Sequence, residues 1–411
     1  MVIMGAEAQA VAVAWQVYEI THRAIDLGYT GLVLFIPGLI FLLPAGHVAD
    51  RYDRRLVVMV CYSLQILCTL ALLLFALHGL HHVEPIFVVL FLIGTGRAFS
   101  GPASSALLPH LVPGEHFVNA ITWGATTFQI ANIAGPAIGG LLYTLPVHGM
   151  WYGAPIVLLF TLATGTAFVG LIFSLHVRPG RMEHRAISTE VILAGFHYVW
   201  KSRLLLGSIS LDLFVVLLGG ATALLPIFAH DLLHTGPQGL GALRAAPAAG
   251  ALIVSIWLTF YPVLKRAGIL MFTGVAIFGM ATVVFGLSRS LPLSLAALMI
   301  VGASDMVSVV IRSSMLQLAT PASMRGRVSA VNSLFVGASN ELGEFESGLT
   351  SQWWGAVRAV VAGGLASLAV TGLWSILFPG LRRIDELSEE SLQQEEWQPL
   401  PTGPHPDPNF N

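Results

Sequence analysis

Several charged side chains of this sequence lie in the middle of long apolar runs. If these runs cross a membrane, an ionised side chain near their centre costs at least about 2.5 kcal/mol, so it is normally paired or lines a pathway for ions or substrate. We therefore predict that the following residues form a pathway for substrate and protons: Arg97, Asp212, Asp305, Arg312, Glu341, Glu344 and Glu346. Glu7, in the first apolar run, is a weaker candidate.

Three of these acids belong to one short stretch, residues 340–346. Glu341 and Glu344 are one helical turn apart and share a face, whereas Glu346 points elsewhere. The sequence offers no obvious set of three basic partners for them. The stretch therefore favours proton or cation handling over a purely structural role.

The composition indicates that membrane helices carry these residues. The chain has 411 residues, of which 55% are hydrophobic and only 10% are charged, whereas soluble domains have about 25% charged residues. The apolar runs are about 20 residues long and do not alternate in polarity, which predicts helices and not the strands of a barrel. We count about twelve spans, near residues 1–20, 27–48, 56–78, 85–108, 117–143, 152–175, 204–229, 238–261, 268–287, 292–318, 328–351 and 355–378.

An internal repeat divides these spans into two sets of six. An offset of 208 residues brings Gly94 onto Gly302, Gly135 onto Gly343 and Gly140 onto Gly348, and the matches continue through three successive spans. Such collinear matches predict two six-helix halves related by an axis along the membrane normal, which can rock against each other. The predicted organisation is a half at 1–176, a linker at 177–203 with an interfacial helix near 188–200, a half at 204–380, and a disordered tail at 381–411.

The distribution of basic residues predicts the orientation of the chain. With the loop around Asp50 on the cytoplasmic side, fourteen of the twenty lysine and arginine residues fall on that side. The opposite side receives four, namely Arg23, Arg244, Arg289 and Arg358. This asymmetry obeys the positive-inside rule and places both termini in the cytoplasm.

The loop at residues 46–55 is a dense charge cluster between two apolar runs. It resembles the signature loop between the second and third helices of the major facilitator superfamily, Gly-x-x-x-Asp-Arg-x-x-Arg-Arg, and four of its positions are filled by Gly46, Asp50, Arg51 and Arg55. Asp53 or Arg54 replaces the usual second glycine. The resemblance implies a cytoplasmic gate in which Asp50 and the arginines (Arg51, Arg54 and Arg55) latch the two halves together. The alternative is a loop that only sets topology.

Two further stretches resemble motifs of that superfamily. Gly135, Pro136, Gly139 and Gly140 match its antiporter motif, Gly-Pro-x-x-Gly-Gly, which implies export, although close helix packing alone also explains glycines at this spacing. Arg97 resembles the arginine of the fourth-helix motif, which implies proton coupling and substrate contact. A structural ion pair is the alternative for Arg97. Residues 324–328 and 340–346 resemble the branch of the enterobactin exporter and the transmembrane secretion effectors.

Asp305 is the repeat-mate of Arg97, and Arg312 lies seven residues further on, on roughly the same helical face. Asp305 has three possible roles: to meet Arg97 across the cavity, to exchange a proton, because burial favours the protonated carboxyl, or to pair locally with Arg312. The sequence leaves these alternatives open.

Other chemistries lack their motifs. The sequence contains no phosphate-binding Gly-x-x-x-x-Gly-Lys-Ser/Thr loop, which argues against an ATP-driven engine, and neither His-Glu-x-x-His nor Gly-x-Ser-x-Gly, which argues against an enzyme. The net charge of −2 argues against a nucleic-acid partner. Cys61 and Cys68 suit small core residues, and the histidines near 78–82 suit solvated loop residues, so we expect no metal site.

Together these features predict a monomeric, multi-pass transporter of the inner membrane that needs no cofactor. We expect it to export a small amphipathic molecule, such as a drug or a siderophore, by alternating access driven by the proton gradient. The alternatives are a uniporter or importer of the same fold, and a membrane scaffold or sensor that does not transport.

Overall fold

A computed structural model of the chain describes residues 1–79, 82–112, 116–145, 153–174, 189–261, 265–321 and 324–385. These residues form helices and no strand. The helices are α1 (Val2–Thr21), α2 (Ala24–Ile40), α3 (Leu42–Arg51), α4 (Arg54–His78), α5 (Glu84–Leu111), α6 (Phe117–Tyr143), α7 (Ala154–Ser174), α8 (Thr189–Lys201), α9 (Arg203–Gly219), α10 (Leu225–Ile227), α11 (Gly236–Phe260), α12 (Ala267–Leu287), α13 (Leu291–Leu318), α14 (Arg325–Trp354), α15 (Ala356–Leu377) and α16 (Pro379–Arg383).

Every predicted span coincides with one of these helices or with consecutive helical pieces. Among the described residues, eight helical segments are long and apolar enough to cross a membrane, and Ala24–Ile40 is a shorter apolar helix. The others, including α1, α6 and α14, carry more polar and small residues, so composition alone does not mark them as spans. The expected interfacial helix of the linker is present as α8 (Thr189–Lys201).

Two predicted spans are interrupted, contrary to expectation. The second breaks at Phe41, because Pro44 at the start of α3 has no amide hydrogen to donate to the carbonyl of Ile40, the last residue of α2. The seventh breaks after Gly219, and the chain continues through a 3₁₀ turn, the short α10 and a π-helical turn at Phe228–Leu232. The Ser347 hydroxyl donates to the Gly220 carbonyl exposed at this break, so a neighbouring helix supplies the partner that the broken helix lacks.

Helices α1–α7 pack together as an N-terminal half, and α8–α16 pack together as a C-terminal half. The largest contacts between the halves are two helix crossings, α6 with α11 and α2 with α14. Both crossings lie towards one end of the molecule, which we call the closed end and which includes Thr144 and Gln238. At the opposite, open end, residues 123–128 of α6 are all exposed. Since six residues exceed one helical turn, the end of α6 is uncovered on every side.

Glycines at equivalent positions make both crossings. A Cβ added to Gly140 of α6 would lie 2.9 Å from the Cα of Gly241 in α11, and a Cβ added to Gly348 of α14 would lie 2.9 Å from the Cα of Gly28 in α2. Since Gly140 and Gly348 are repeat-mates, the two halves use the same contact. Small residues allow this approach of two backbones.

The other repeat-mates agree with this symmetry. Gly135 packs against α1 at Met4 and Gly343 packs against α9 at Val216, while Gly94 and Gly302 approach α2 and α11 respectively. Equivalent glycines therefore contact equivalent helices in the two halves. The two-fold repeat read from the sequence is present in the packing.

The predicted disordered tail begins too early. Leu381 is 1% exposed, and Asp385 accepts hydrogen bonds at the start of α12, from the Arg266 amide to its carboxylate (2.9 Å) and from the Ala267 amide to its carbonyl (3.2 Å). These contacts satisfy amides that a helix start leaves free. Residues 386–411 lie outside the described part of the chain.

We predict that Gly140→Val weakens the crossing of α6 with α11, because overpacking a close contact costs about 1–3 kcal/mol. The yield of a short bismaleimide crosslink between Thr144→Cys and Gln238→Cys, whose native side chains lie 2.6 Å apart, should fall severalfold. Gly124→Val on the same helix is the control, since nothing lies within 4 Å of a Cβ there. Equal yields in the two variants would contradict a glycine-dependent crossing.

Candidate functional site

A cavity lies between the two halves, on the open-end side of the glycine crossings. The N-terminal half lines it mainly with small and aliphatic side chains of α1, α2 and α5, together with Gln9, Thr30 and Arg97. The C-terminal half contributes Arg244 of α11 and Glu344 of α14. The wall of the cavity therefore combines apolar and polar surface in nearly equal parts, with a few charges at fixed places.

Charges from both halves face each other around this cavity. Arg97 of α5 and Arg244 of α11 act electrostatically on Glu341, and Glu344 is under the influence of Arg244 and of Glu7 from α1. Among the described side chains, no ion pair within 4.0 Å joins two of these five groups. Two arginines and three acids therefore lie in and beside the cavity without direct pairing, with one acid in excess.

Glu341 and Glu344 reach from the C-terminal half onto the N-terminal half. A Cβ added to Gly31 of α2 would lie 3.0 Å from Glu341 Oε2 and 2.5 Å from Glu344 Oε2. The absence of a side chain at Gly31 therefore makes room for both carboxyl groups. The predicted common face of these two acids is confirmed, and their surroundings depend on the two halves being together at the α2–α14 crossing.

Arg244 is the cavity residue that the sequence prediction misplaced. It was counted among the residues of the outer side, but it lies within α11, eight residues after Gly236, and lines the cavity. The available signal was its position inside an apolar run, the same signal that identified Arg97. Glu7, treated as a weak candidate, also contributes to the electrostatics of the cavity.

Asp212, Asp305 and Arg312 form a second buried cluster, inside the C-terminal half. Arg312 pairs with Asp212, with Nη1 2.7 Å from Oδ2, and its Nε donates to Ser308 Oγ over 3.1 Å. The side chains of the pair are 10% and 9% exposed. The charged groups that act on Asp305 are Arg312 and Asp212, so the expected alternative in which Asp305 meets Arg97 is not the arrangement present.

The loop at 46–55 lies at the open end, and its residues Asp53 and Arg55 make contacts within the N-terminal half. Asp53 caps α4 by accepting from the Arg55 amide (2.9 Å), and the Arg55 guanidinium donates to the carbonyls of Ile172 and Phe173 at the end of α7. Gly46 is buried, and Arg51 is exposed. The side chain of Asp50 lies outside the described part of the structure. The latch between the halves that the resemblance implies would form only in a conformation in which this end is shut.

The glycine motif on α6 is a packing element with two sides. Gly139 approaches Ala8 of α1, where a Cβ would lie 2.7 Å from the Ala8 Cα, and Gly140 approaches α11 of the other half. The carbonyl of Pro136 faces Gly241. The motif therefore joins α6 to a neighbour in its own half and to the opposite half at once.

The remaining candidates lie apart from the cavity. Glu346 is half-buried on another face of α14 and is not among the cavity lining. Cys61 and Cys68 are buried free thiols. Of the three histidines near the end of α4, His81 lies outside the described residues, and the described part of the chain contains no group of His, Cys, Asp and Glu suited to a metal ion.

Comparisons with known proteins relate the chain to exporters. The sequence profile of the transmembrane secretion effector family matches residues 1–402. The enterobactin exporter EntS of Escherichia coli O1:K1 / APEC is 27% identical over 368 residues, which is 87% of this chain and 81% of that protein. EntS of Escherichia coli O9:H4 (strain HS) is 28% identical over the same shares.

Solved transporter structures share the fold. A bacterial homologue of the human lysosomal transporter Spinster, in an inward-facing and unoccupied conformation, has a TM-score of 0.68 at 14% identity and covers 97% of this chain and 98% of its own. A bacterial homologue of the iron transporter ferroportin, in an inward-facing state, has a TM-score of 0.62 at 16% identity, with coverage of 91% and 97%. At these identities the likeness establishes the fold alone.

We predict that Asp212→Asn destabilises the protein, because removing one partner of a buried ion pair leaves the other charge uncompensated and costs about 3–5 kcal/mol. The apparent melting temperature in detergent should fall. Adding Arg312→Gln should recover part of the loss, since the double variant no longer buries an unpaired charge. Strictly additive losses in the double-mutant cycle would show that Asp212 and Arg312 do not stabilise each other.

Proposed function

The chain belongs to the transmembrane secretion effector family of the major facilitator superfamily, and we propose that it exports a small amphipathic molecule in exchange for protons. Membership makes it a multi-pass membrane transporter and not an enzyme. Its relatedness to the enterobactin exporters favours efflux, and siderophore export in particular. The proton as the driving ion, the direction of exchange and the residues that perform it are our proposal.

The position of Glu341 and Glu344 carries this proposal. Both carboxyl groups project from α14 of one half onto Gly31 of the other half, beside a cavity that holds an arginine from each half. When α2 and α14 separate, these groups lose their cover and meet water. Their access to protons therefore has to change with the conformation, which is the requirement for coupling proton movement to alternating access.

The open end faces the cytoplasm in our proposal. It carries Arg51, Lys265, Arg266 and Arg325, among other basic residues, and the positive-inside rule places such an end in the cytoplasm. Both termini are then cytoplasmic, and the cavity opens inward. An exported molecule enters the cavity from the cytoplasm in this conformation, while the glycine crossings keep the opposite side shut.

Substrate and protons compete for the same acids in this mechanism. A molecule with O–H or N–H groups donates hydrogen bonds to ionised Glu341 and Glu344, and Arg97 and Arg244 donate hydrogen bonds to its acceptor groups. Protons entering from outside neutralise the acids and remove these acceptors, which releases the molecule. Mutual exclusion of substrate and proton gives exchange. Asp305, next to the Asp212–Arg312 pair, is a second acid that can accept a proton in the same cycle.

The export step shuts the open end. The halves at 1–176 and 204–380 rotate about the cavity, and the linker at 177–203 allows them to do so. Asp50 and the arginines of its loop, Arg51 and Arg54, then latch onto the C-terminal half, as the resemblance to the superfamily loop implies. The two glycine crossings at the closed end have to separate in the same step.

We predict that Arg97→Ala and Asp50→Asn each reduce export at least tenfold, because the first removes a charge that balances the cavity acids and the second removes a gate contact. Proton-driven uptake of ethidium and of enterobactin into inverted membrane vesicles measures this rate. Glu84→Gln, a change to an exposed acid at the closed end, is the control and should transport normally. Undiminished uptake in both test variants would contradict the mechanism.

A second prediction separates coupling from transport. The double variant Glu341→Gln/Glu344→Gln resembles the protonated state, so it should lose accumulation driven by a pH gradient, and its remaining exchange of labelled for unlabelled substrate should need more substrate and no longer depend on pH. Retention of both the accumulation and the pH dependence of exchange would exclude these acids from coupling. Proton movement in the same direction as substrate would favour a symporter or importer.

A further inference from the structure

The closed end contains a polar cluster that does not belong to the cavity. It joins the end of α1 to the π-helical turn at Phe228–Leu232, one element from each half. The Tyr18 hydroxyl donates to Asp231 Oδ2, and His230 Nδ1 lies 2.5 Å from Asp231 Oδ1. Asp231 therefore accepts from a group of the opposite half and from its own neighbour at the same time.

The two sides of this cluster differ in their access to water. Tyr18 is 5% exposed, whereas the side chains of Asp231 and His230 are 45% and 37% exposed. Protons from the solution at the closed end therefore reach the acceptor, while the donor stays inside the contact. The glycines that form the two helix crossings have no titratable side chain.

Two histidines from opposite halves meet beside this contact. The rings of His22 and His230 have their centroids 6.0 Å apart, and Tyr18 and Trp15 pack against His230 with centroids at 5.7 and 5.4 Å. Two protonated imidazoles at this distance repel each other. The repulsion is offset while Asp231 is ionised and becomes uncompensated when Asp231 takes up a proton.

The other titratable groups of the surrounding elements do not replace Asp231. Glu19 of α1 accepts from Trp15 Nε1 (2.6 Å) and from the Tyr143 hydroxyl of α6 (3.3 Å), all within the N-terminal half. His234 is held by the main chain, with Nδ1 3.0 Å from the His230 carbonyl. Gln238 of α11 bonds Thr144 and does not titrate. Among the described groups, Asp231 is the acid that joins the halves here.

We propose that Tyr18, His22, His230 and Asp231 form a proton-binding site that keeps the closed end shut until protons arrive from that side. The ionised carboxylate ties the π-helical turn to α1. Protonation of Asp231 weakens its bond with Tyr18, leaves His230 without its counter-charge and exposes it to His22. The proposal rests on the proposed function only in taking the closed end to face outside.

The sign of the effect follows from the two types of group. Histidine gains its charge in weaker acid than that in which aspartate loses its own. The contact is complete at neutral pH, and added acid first introduces repulsion between imidazolium rings and then removes the carboxylate. The hydrogen bonds that Asp231 accepts stabilise its ionised form, so this last step needs strong acid. Acid therefore opens this end. An exchanger gains from this arrangement because the outward-open state forms where protons are available for return.

The test measures the distance across the closed end as a function of pH. We expect spin labels at Leu145→Cys and Trp353→Cys, in the full chain with Cys61 and Cys68 replaced by alanine, to show a growing long-distance population in double electron–electron resonance as the pH is lowered from about 7.5 to about 3. Loss of a hydrogen bond to a charged group changes such a ratio about ten- to a hundredfold. The measurement uses lipid nanodiscs and requires neither substrate nor a gradient.

Three variants identify the groups. Asp231→Asn should be more open at neutral pH and should lose the part of the response that needs strong acid, and His22→Asn should lose the part that begins in weaker acid. His234→Asn is the matched control, because His234 has a positive φ of 51° that asparagine tolerates, and it should respond like the parent.

Three results would overturn the proposal: distances in the parent that do not change with pH, closure in acid, or an unaltered response in Asp231→Asn. Since no transport is measured, a failed proton exchange in vesicles would not affect this outcome. Conversely, a pH-independent closed end would leave the cavity mechanism intact.

Discussion

The structure depends on the close approach of two pairs of backbones, Gly140 with Gly241 and Gly348 with Gly28. No side chain intervenes where these glycines meet, so the backbones are in direct contact there. Apolar side chains give little driving force for association in lipid, and helices there associate through such close packing. The crossings bring α2 and α14 together, and this contact determines where Glu341 and Glu344 lie. The packing of the helix crossings therefore also determines where the charges of the cavity lie.

Charge is the second constraint, and the two buried clusters satisfy it differently. Asp212 and Arg312 form a direct pair at 2.7 Å within one half, so their separation is not required during rocking. The cavity charges come from both halves and are not directly paired, which leaves space for a ligand between them. An ion pair that has to persist is built inside a half, whereas charges that have to change partners lie between the halves.

The sequence predicted the helices well because each span needs a long apolar run, and it predicted the repeat because Gly94, Gly135 and Gly140 each have a glycine 208 residues later. It did not predict the break after Gly219, since the stabilising partner of the Gly220 carbonyl, Ser347, is distant in sequence. The sequence also does not determine how each helix is rotated about its own axis. For that reason Arg244 was placed outside the cavity, and the contact between Tyr18 and Asp231 was not anticipated.

Some glycines of the crossing helices have only open space where a Cβ would lie. Gly38, Gly124 and Gly337 lie on the open-end lengths of α2, α6 and α14, three of the four crossing helices, with nothing within 4 Å of a Cβ. Packing in this conformation places no restriction on them. Small residues at these positions would allow the same lengths to approach closely if the open end shuts. Glycines without close neighbours in this conformation therefore indicate which helix surfaces could be buried when the open end is shut.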